Sequence, residues 1–324
     1  MEARSSSTSS PPSRGFATTS TVEVAQRIRA NVERVLEGKR EVIELAVASL
    51  LARGHLLIED VPGVGKTTLS HALARLLDLD YHRIQFTSDL LPADIIGVSI
   101  FDREKSSFRF HQGPIFANII LADEINRASP KAQSALLEAM EEHQVTAEGE
   151  TRPLPEPFFV IATQNPLHQV GTFPLPESQL DRFLMRINLG YPDAKAEREL
   201  LRGAERRDLI AHIKPVMSAV QLLELQKAVP AMQVSDALLD YVQHLINFTR
   251  HSPRFTQGLS PRAGVAILRA AQSWAMMEGR RQVLPEDVQA ILPSVVGHRL
   301  HGNADAVKGG FDAAKELITG VPIP

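Results

Sequence analysis

The sequence predicts an α/β domain, in which helices flank a parallel β-sheet, followed by a smaller all-helical domain. The first observation is the alternation of short apolar runs with helix-like patterns over residues 21–192, which is typical of a parallel sheet covered by helices. The second is the loss of strand-like runs beyond residue 192, where amphipathic helix patterns take over. The third is the length of 324 residues with 44% hydrophobic residues, which is enough for two domains of ordinary size.

Composition and charge narrow the class of protein. Residues 1–20 are rich in Ser, Thr and Pro, so we expect a disordered tail before the α/β domain (21–192) and the helical domain (193–324). The 35 Lys and Arg residues against 38 Asp and Glu residues give a net charge of −3, so we do not expect nucleic acid as a partner. The absence of cysteine excludes disulfides and thiolate metal sites and fits a cytoplasmic protein. No apolar run approaches the roughly 20 residues of a transmembrane helix.

The local patterns assign the elements in order. The strand candidates of the sheet are HLLIED (55–60), RIQF (83–86), NIILADE (118–124), FFVIAT (158–163) and RINLGY (186–191). Residues 67–77 and 129–142 have helical patterns, and in the second of these Ser129 can cap the helix while Pro130 fits its first turn. Two strand-turn-strand patterns, centred on 105–107 and 148–150, predict hairpins. Helices of the second domain are predicted in 235–251, 260–279 and 284–292.

A loop between the first strand and the first helix of the sheet has the composition of a phosphate-binding loop. It consists of Gly63, Val64, Gly65, Lys66, Thr67 and Thr68. Free backbone N–H groups at the start of the helix would face a phosphate, the Lys66 ammonium would neutralise phosphate charge, and the Thr67 hydroxyl would bind Mg²⁺. The usual motif has a glycine where this chain has Asp60. We expect a positive φ there, which Asp tolerates better than most residues.

Two further strands end in polar residues suited to phosphate chemistry. NIILADE ends in Asp123, which can bind Mg²⁺ through water, and Glu124, which can act as general base for the attacking water. A strand followed by two acids is more often a solvated turn when taken alone, but its spacing from Lys66 lets both strands converge at one sheet edge. FFVIATQN ends in Asn165, which either orients the water or is an ordinary turn residue before Pro166. These patterns together predict an ATP and Mg²⁺ site.

Five motifs in order extend this site to a family. EDVPGVGKTT, LADEINRA, ATQNP, LPESQLDRF and GLSPRAG closely resemble the MoxR group of AAA+ ATPases over about residues 21–300. Members of that group commonly carry Glu-Asp ahead of the Val-Pro-Gly turn, as this chain does at Asp60. The resemblance implies a phosphate-loop AAA+ core with a helical lid domain.

The resemblance also implies roles for individual residues. Asn165 becomes the sensor beside the γ-phosphate, and Arg182, on a short helix among carboxylates, becomes an arginine finger that reaches the ATP of a neighbouring protomer. Taken alone, Arg182 would be an ordinary surface salt bridge. Arg262 becomes the lid arginine that senses the phosphates bound by its own chain, and Gly38 lies in the segment that packs against adenine. Arg127 either reaches across a subunit boundary or forms a salt bridge at the start of a helix.

Three functions are compatible with these residues. The first is a ring-forming, hexameric, Mg²⁺-dependent ATPase with chaperone-like action on a client protein, for which the resemblance implies a von Willebrand A domain partner. The second is a nucleotide-gated assembly platform with little turnover, but intact Glu124 and Arg182 favour turnover. The third is a DNA-dependent motor, which the near-neutral charge and the lack of a basic run with interleaved aromatics disfavour.

Overall fold

A five-stranded parallel sheet forms the centre of the first domain. The computed structural model describes residues 16–34, 36, 38–165, 171–201, 210–303, 306–307 and 312–323, and the statements below concern these residues. The strands are β1 (His55–Glu59), β2 (Tyr81–Gln85), β3 (Gly97–Asp102), β4 (Ser107–Gln112), β5 (Ile119–Asp123), β6 (Gln144–Ala147), β7 (Glu150–Pro153), β8 (Phe159–Gln164) and β9 (Phe183–Ile187). The sheet has the order β2-β5-β8-β1-β9 with parallel neighbours throughout. The predicted parallel sheet is thus confirmed.

Helices cover the sheet and then form the second domain. They are α1 (Phe16–Glu33), α2 (Arg40–Leu51), α3 (Lys66–Leu76), α4 (Pro92–Ile96), α5 (Pro130–Glu142), α6 (Glu177–Leu180), α7 (Ala194–Leu201), α8 (Ala219–Ala228), α9 (Asp236–His251), α10 (Pro261–Met277), α11 (Pro285–Val296) and α12 (Ala313–Gly320). Ser129 caps α5 by accepting the amide N–H of Ala132, with Pro130 in the first turn, as the sequence predicts. In the described part of the chain, no helix combines the length and apolar character that crossing a membrane requires.

The two faces of the sheet pack against different helices because successive strand residues point to opposite sides. Leu56 and Ile58 of β1 belong to one apolar cluster, whereas Leu57 between them belongs to the other. The first cluster continues into the helical domain through residues such as Tyr241 and Ile267. The second domain therefore shares a continuous core with one face of the sheet.

Both predicted hairpins are present. β3 pairs with β4 and β6 pairs with β7, each in antiparallel register. The hairpins also contact each other, since the Ser99 amide donates to Glu148 Oε1 at 3.1 Å and Arg152 lies 3.8 Å from the centroid of the Phe110 ring. The two hairpins are therefore joined to each other.

Three boundaries differ from the prediction. Helix α1 begins at Phe16, inside the tail predicted for residues 1–20, and residues 1–15 lie outside the described residues, so the disordered tail stays a prediction. Strand β9 begins at Phe183, three residues before the predicted RINLGY, because the apolar FLM run already enters the sheet. Helix α6 ends at Leu180, so Arg182 lies in the turn before β9 rather than on a helix. The domain boundary at residue 192 stays a prediction and falls between β9 and α7.

Candidate active site

The loop between β1 and α3 has the backbone of a phosphate-binding loop. Gly63 has φ +84° and Gly65, the residue before α3, has φ +105°, a region that glycine adopts without steric cost. A Cβ at Gly63 would meet nothing within 4 Å, so the loop is open to a ligand there. Val64 is buried and anchors the loop, while Thr67 is exposed and Thr68 is half-buried. The first N–H groups of α3, which have no partner within the helix, face this loop.

The Lys66 side chain lies along the same loop. Its Nζ donates to the carbonyl oxygens of Asp60 at 2.7 Å and Val61 at 3.2 Å. Burial lowers the pKa of Lys66, and the negative charges of Asp123, Asp60 and Glu124 oppose this shift. The ammonium is thus within electrostatic range of Asp123, the predicted Mg²⁺ ligand, and of Glu124, the predicted general base.

Asp60 has a different role from the predicted one. It does not have a positive φ, so conformational tolerance does not explain its place in the motif. Its buried carboxylate instead accepts the amide N–H of Val61 at 2.8 Å and that of Gly190 at 2.6 Å. Asp60 therefore ties the start of the phosphate loop to the segment that follows β9.

Gly38 lies against the same segment. It has φ +75°, and a Cβ there would come within 3.0 Å of Asp193 Oδ2. The neighbouring Lys39 Nζ donates to the carbonyl oxygen of Tyr191 at 2.6 Å. Since Asp60 holds Gly190, the Gly38 segment lies beside the phosphate loop, where a nucleotide base is expected.

A buried threonine binds both acidic residues at the end of β5, one through its carboxylate and the other through its backbone amide. The Thr163 hydroxyl donates to Asp123 Oδ1 at 2.6 Å and accepts the Glu124 amide N–H at 2.8 Å. Glu124 has φ +58° and ψ +48°, a left-handed conformation that costs a non-glycine residue about 1–2 kcal/mol. Arg83 donates to Asp123 Oδ2 at 3.1 and 2.6 Å. Thr163 thus holds a strained residue, and such strain is found at functional sites.

The Glu124 carboxylate is held by two side chains. Gln85 Nε2, at the end of β2, donates to Glu124 Oε2 at 3.2 Å, and Arg127 Nε lies 3.0 Å from the same oxygen. The salt bridge of Arg127 is therefore made within its own chain. The Glu124 side chain remains 25% exposed, so a water molecule can reach it.

Asn165 follows β8, which lies between β5 and β1 in the sheet. It is therefore between the Glu124 end of the site and the phosphate loop, as predicted, and its carbonyl oxygen accepts from Asn126 Nδ2 at 3.4 Å. Pro166, on which the alternative turn interpretation rests, lies outside the described residues.

Arg182 and Arg262 lie together on one glutamate. Arg182 donates to the carbonyl oxygen of Leu137 at 2.6 Å, and its Nη2 lies 3.2 Å from Glu141 Oε2. Arg262 Nη1 lies 3.1 Å from the other oxygen, Glu141 Oε1. One carboxylate of α5 thus holds an arginine from the core and an arginine from the helical domain.

This arginine pair lies near the amino ends of the sheet strands, whereas the phosphate loop follows the carboxyl end of β1. The last turn of α5 is at the beginning of β1, because the His55 ring contacts the carbonyl oxygen of Met140 at 3.1 Å. The five residues of β1 separate that point from the loop, a distance of about 16 Å for an extended strand. The prediction that Arg262 senses phosphates bound by its own chain is therefore corrected. The packing of the helical domain places the start of α10 near the amino ends of the strands, away from the phosphate loop.

Comparisons with known proteins agree with this architecture. The family model "ATPase family associated with various cellular activities (AAA)" matches residues 55–185, and the AAA lid domain model matches residues 247–317. Chaperone MoxR1 of Mycobacterium tuberculosis is 41% identical over 92% of this chain and 81% of its own length. The uncharacterized protein YeaC of Bacillus subtilis is 44% identical over 91% of this chain and 93% of its own length.

This chain belongs to the MoxR family of AAA+ ATPases. A crystal structure of a protein from Cytophaga hutchinsonii has the same fold, with a TM-score of 0.87 and 36% identity over 95% of this chain and 97% of that one. In MoxR-family terms, β1 to β9 form the AAA+ core and the α9 to α12 region contains the lid.

The MoxR-family site also contains residues that the sequence reasoning missed. Thr163 is a hydroxyl near the end of an otherwise apolar strand, and Gln85 is a polar residue at the end of RIQF. Both positions gave a signal, because polar side chains at the carboxyl ends of parallel strands line the ligand crevice. Arg83 gave no comparable signal, since it precedes the strand end by two residues.

The residues present fit a magnesium ion that phosphates would help to hold. The described residues contain no group of three His, Cys, Asp or Glu side chains that could hold a metal by themselves. Mg²⁺ typically takes one or two protein ligands and completes its shell with waters and phosphate oxygens. The exposed Thr67 hydroxyl and the Asp123 carboxylate match that donor set.

Proposed function

We propose that this MoxR-family chain hydrolyses ATP in a ring of identical protomers and uses the cycle to remodel or mature a client protein. The observation that carries the proposal is that the residues of the site are divided between the two opposite ends of the sheet strands. The carboxyl ends of the strands hold Lys66, Asp123 and Glu124, and the amino ends hold the Arg182–Arg262 pair. A head-to-tail ring brings these two ends together.

Binding of the phosphates follows from the loop. The N–H groups at the start of α3 and the Lys66 ammonium, on exchanging its two carbonyl partners for phosphate oxygens, neutralise the triphosphate. Thr67 and Asp123 would hold Mg²⁺, which when bound draws charge from the β- and γ-phosphate oxygens. Gly38 would approach the base.

Hydrolysis requires a proton acceptor at the water molecule. Glu124 takes the proton of the water that attacks the γ-phosphorus, and the bond from that phosphorus to the oxygen that leaves with ADP breaks. Asn165 orients the water from the neighbouring strand. Before reaction, Gln85 and Arg127 hold the Glu124 carboxylate. Release from these partners would make it available.

The charge that develops on the transferring phosphoryl group needs a cation from another protomer. Roughly 16 Å of sheet separates Arg182 from the loop of its own chain, so it cannot reach that nucleotide. In a ring, Arg182 and Arg262 act on the neighbour's γ-phosphate, and Glu141 balances their charge until then. The family resemblance favours a hexamer.

The client would meet the ring at the joined hairpins. Ile100, Phe101 and Phe108 are half or more exposed there, and Phe101 stacks edge-on against Phe108 at 5.3 Å. Exposed apolar patches of this kind mark interaction surfaces. The family resemblance favours a von Willebrand A domain protein as the partner that links ring and client, in the cytoplasm.

Two substitutions with different expected defects test the site. Lys66→Ala should weaken ATP binding, because it removes ground-state phosphate neutralisation, whereas Glu124→Gln should bind ATP and not hydrolyse it. Lys315→Ala, at an exposed lysine of α12, is the matched control and should retain both properties. Calorimetry measures binding, and phosphate release measures turnover. If both Lys66→Ala and Glu124→Gln bind and hydrolyse ATP like the parent, the assignment is wrong.

Ring formation has its own test. A ligand held at a subunit boundary favours the assembled state by mass action. Glu124→Gln should therefore sediment as a larger species with ATP and Mg²⁺ than without them. A monomer under both conditions at micromolar concentration contradicts the ring.

A further inference from the structure

The strongest unexplained feature is a buried arginine of the lid, Arg299, that follows α11. Its side chain is only 5% exposed. Burying a guanidinium is costly unless it is paired and its N–H groups are bonded, so a residue of this kind has a specific structural partner. Its position in the sequence gives no hint of a link to the nucleotide site.

The partners of Arg299 surround Arg182. Its Nε donates to Asp181 Oδ1 at 2.6 Å, and its Nη2 donates to the carbonyl oxygens of Asp181 at 3.2 Å and Phe183 at 2.6 Å. Its Nη1 donates to the carbonyl oxygen of Leu184 at 3.1 Å. Arg299 therefore binds the backbone immediately before and immediately after Arg182.

Asp181 extends the contact to the second arginine of the pair. Ser260 Oγ donates to Asp181 Oδ2 at 3.4 Å, and the same hydroxyl caps α10 by accepting the Ala263 amide N–H at 3.1 Å. Arg262 lies in the first turn of that helix. The lid thus binds the residues on both sides of Arg182. The same Asp181 carboxylate also contacts the cap of the helix in which Arg262 lies.

A second lid ion pair shows what a purely internal role looks like. Arg280 pairs with the buried Asp287, and Asp287 also accepts the Leu284 amide N–H at 2.8 Å. All these residues belong to the lid, and among the contacts between described residues none of theirs reaches the turn before β9. The Arg299 contacts differ because they cross from the lid to the core.

We propose that Arg299 is a positioning residue for Arg182, through which the lid sets the place of the finger that a protomer presents to its neighbour's nucleotide. This inference rests on the proposed function of Arg182 in trans. Arg299 itself is buried among carbonyl oxygens and does not face a phosphate. Its effect on rate arises because a catalytic group displaced by about 1 Å can lose on the order of 10²-fold in rate.

The experiment measures turnover and KM for Arg299→Met, Arg182→Ala and the double variant. Arg299→Met should lower kcat by about 10²-fold and leave KM for ATP nearly unchanged, since its own phosphate loop is intact. The double variant should be slower than Arg182→Ala by far less than the Arg299→Met factor, because most of the effect of Arg299 passes through the Arg182 side chain. Arg280→Met, which removes the internal lid pair, should retain parental kcat.

A milder variant protects the test against unfolding of the lid. Asp181→Asn keeps the shape of the contact at a side chain that is 22% exposed, and removes the charge. It should lower kcat by about tenfold with a normal melting curve, as expected for the loss of a charge-assisted bond.

The outcomes separate this inference from the proposed function. If Arg182→Ala turns over ATP like the parent, the finger in trans is wrong, and the positioning role falls with it. If Arg182→Ala is inactive but folded Arg299→Met and Asp181→Asn keep parental kcat, only the role of Arg299 is overturned. A double variant slower than Arg182→Ala by the full Arg299→Met factor also overturns it, because the two residues then act independently.

Discussion

Replacing Thr163 with valine should disconnect the Asp123 carboxylate and the Glu124 backbone from β8. The change removes one hydroxyl and keeps the branched shape in a fully buried position. Asp123 Oδ1 then loses its 2.6 Å donor, and the Glu124 amide loses its 2.8 Å acceptor. Asp123 still has Arg83, whereas the described contacts give the Glu124 amide no second acceptor.

The size of the effect follows from these two bonds. A hydrogen bond to a charged group contributes about 1.5–3 kcal/mol and a neutral bond about 0.5–1.5 kcal/mol. The left-handed backbone of Glu124 stores about 1–2 kcal/mol and can relax once the bond is lost, which offsets part of the cost. We expect Thr163→Val to lose about 2–3 kcal/mol of folding free energy. Because relaxation moves the Glu124 carboxylate, kcat should fall on the order of 10²-fold.

Three measurements check this reasoning. Denaturant unfolding gives the stability, phosphate release gives kcat, and calorimetry gives the ATP affinity, which should stay within a few-fold of the parent because Lys66 is untouched. Thr163→Ser keeps the hydroxyl and should retain most of the activity. A Thr163→Val variant with parental kcat would refute the view that this hydroxyl holds Glu124 in place.

Two other predictions concern Gln85 and His55. Gln85→Ala frees Glu124 from one partner, worth about 1 kcal/mol, and should raise basal turnover by roughly fivefold; a lower rate in steady-state phosphate release would contradict a holding role. His55 contacts the Met140 carbonyl oxygen through Nε2 and accepts the Val160 amide through Nδ1, so it is buried as the neutral ring. Burial lowers the pKa of His55 from 6.5 to about 4. As the pH falls, His55 therefore takes up its proton in the unfolded chain before it does so in the folded protein. The stability that comes from the neutral ring is complete above about pH 6.5 and is lost as the pH falls toward 4. Denaturant unfolding at pH 7.5 and 5 should show about 2 kcal/mol more loss for the parent than for His55→Gln, and equal losses would contradict this.

The sequence predicted the parts of the site that depend on local pattern. Apolar alternation marked the strands, glycines and Lys66 marked the loop, and Asp123 and Glu124 ended a strand that had to reach the same edge. Such signals lie within a few neighbouring residues, so one sequence suffices to detect them.

Contacts between distant segments could not be predicted in this way. Gln85 meets Glu124 only because β2 pairs with β5, and Thr163 meets Asp123 only because β8 lies on the other side of β5. Asp60 binds Gly190, 130 residues away, which no local rule suggests. Strand register and loop packing determine these bonds, and neither is visible in the local pattern.

The error over Arg262 has the same origin. Its motif indicates an arginine at the start of a lid helix, and that much is confirmed. Which edge of the sheet the helix approaches depends on how the lid packs on the core, through contacts such as those of Asp181 with Arg299 and Ser260. The family resemblance gave the residue but directed it to the phosphates of its own chain, and the packing of the lid on the core differs from that expectation.

Mixing two inactive variants tests the central claim most directly. Arg182→Ala supplies an intact ATP pocket, and Lys66→Ala supplies an intact arginine finger, so in an equal random mixture roughly a quarter of the boundaries in a head-to-tail ring contain both. Each variant alone should lack turnover, because a missing finger costs on the order of 10³ to 10⁵ in rate. The account predicts that the mixture recovers part of the parental activity. Titrating Arg182→Ala into the parent should also lower activity in proportion to the fraction of variant. Such a linear loss excludes the possibility that one defective site stops the whole ring. A co-assembled mixture that remains as inactive as its components, despite such a proportional loss, would contradict an active site shared between protomers.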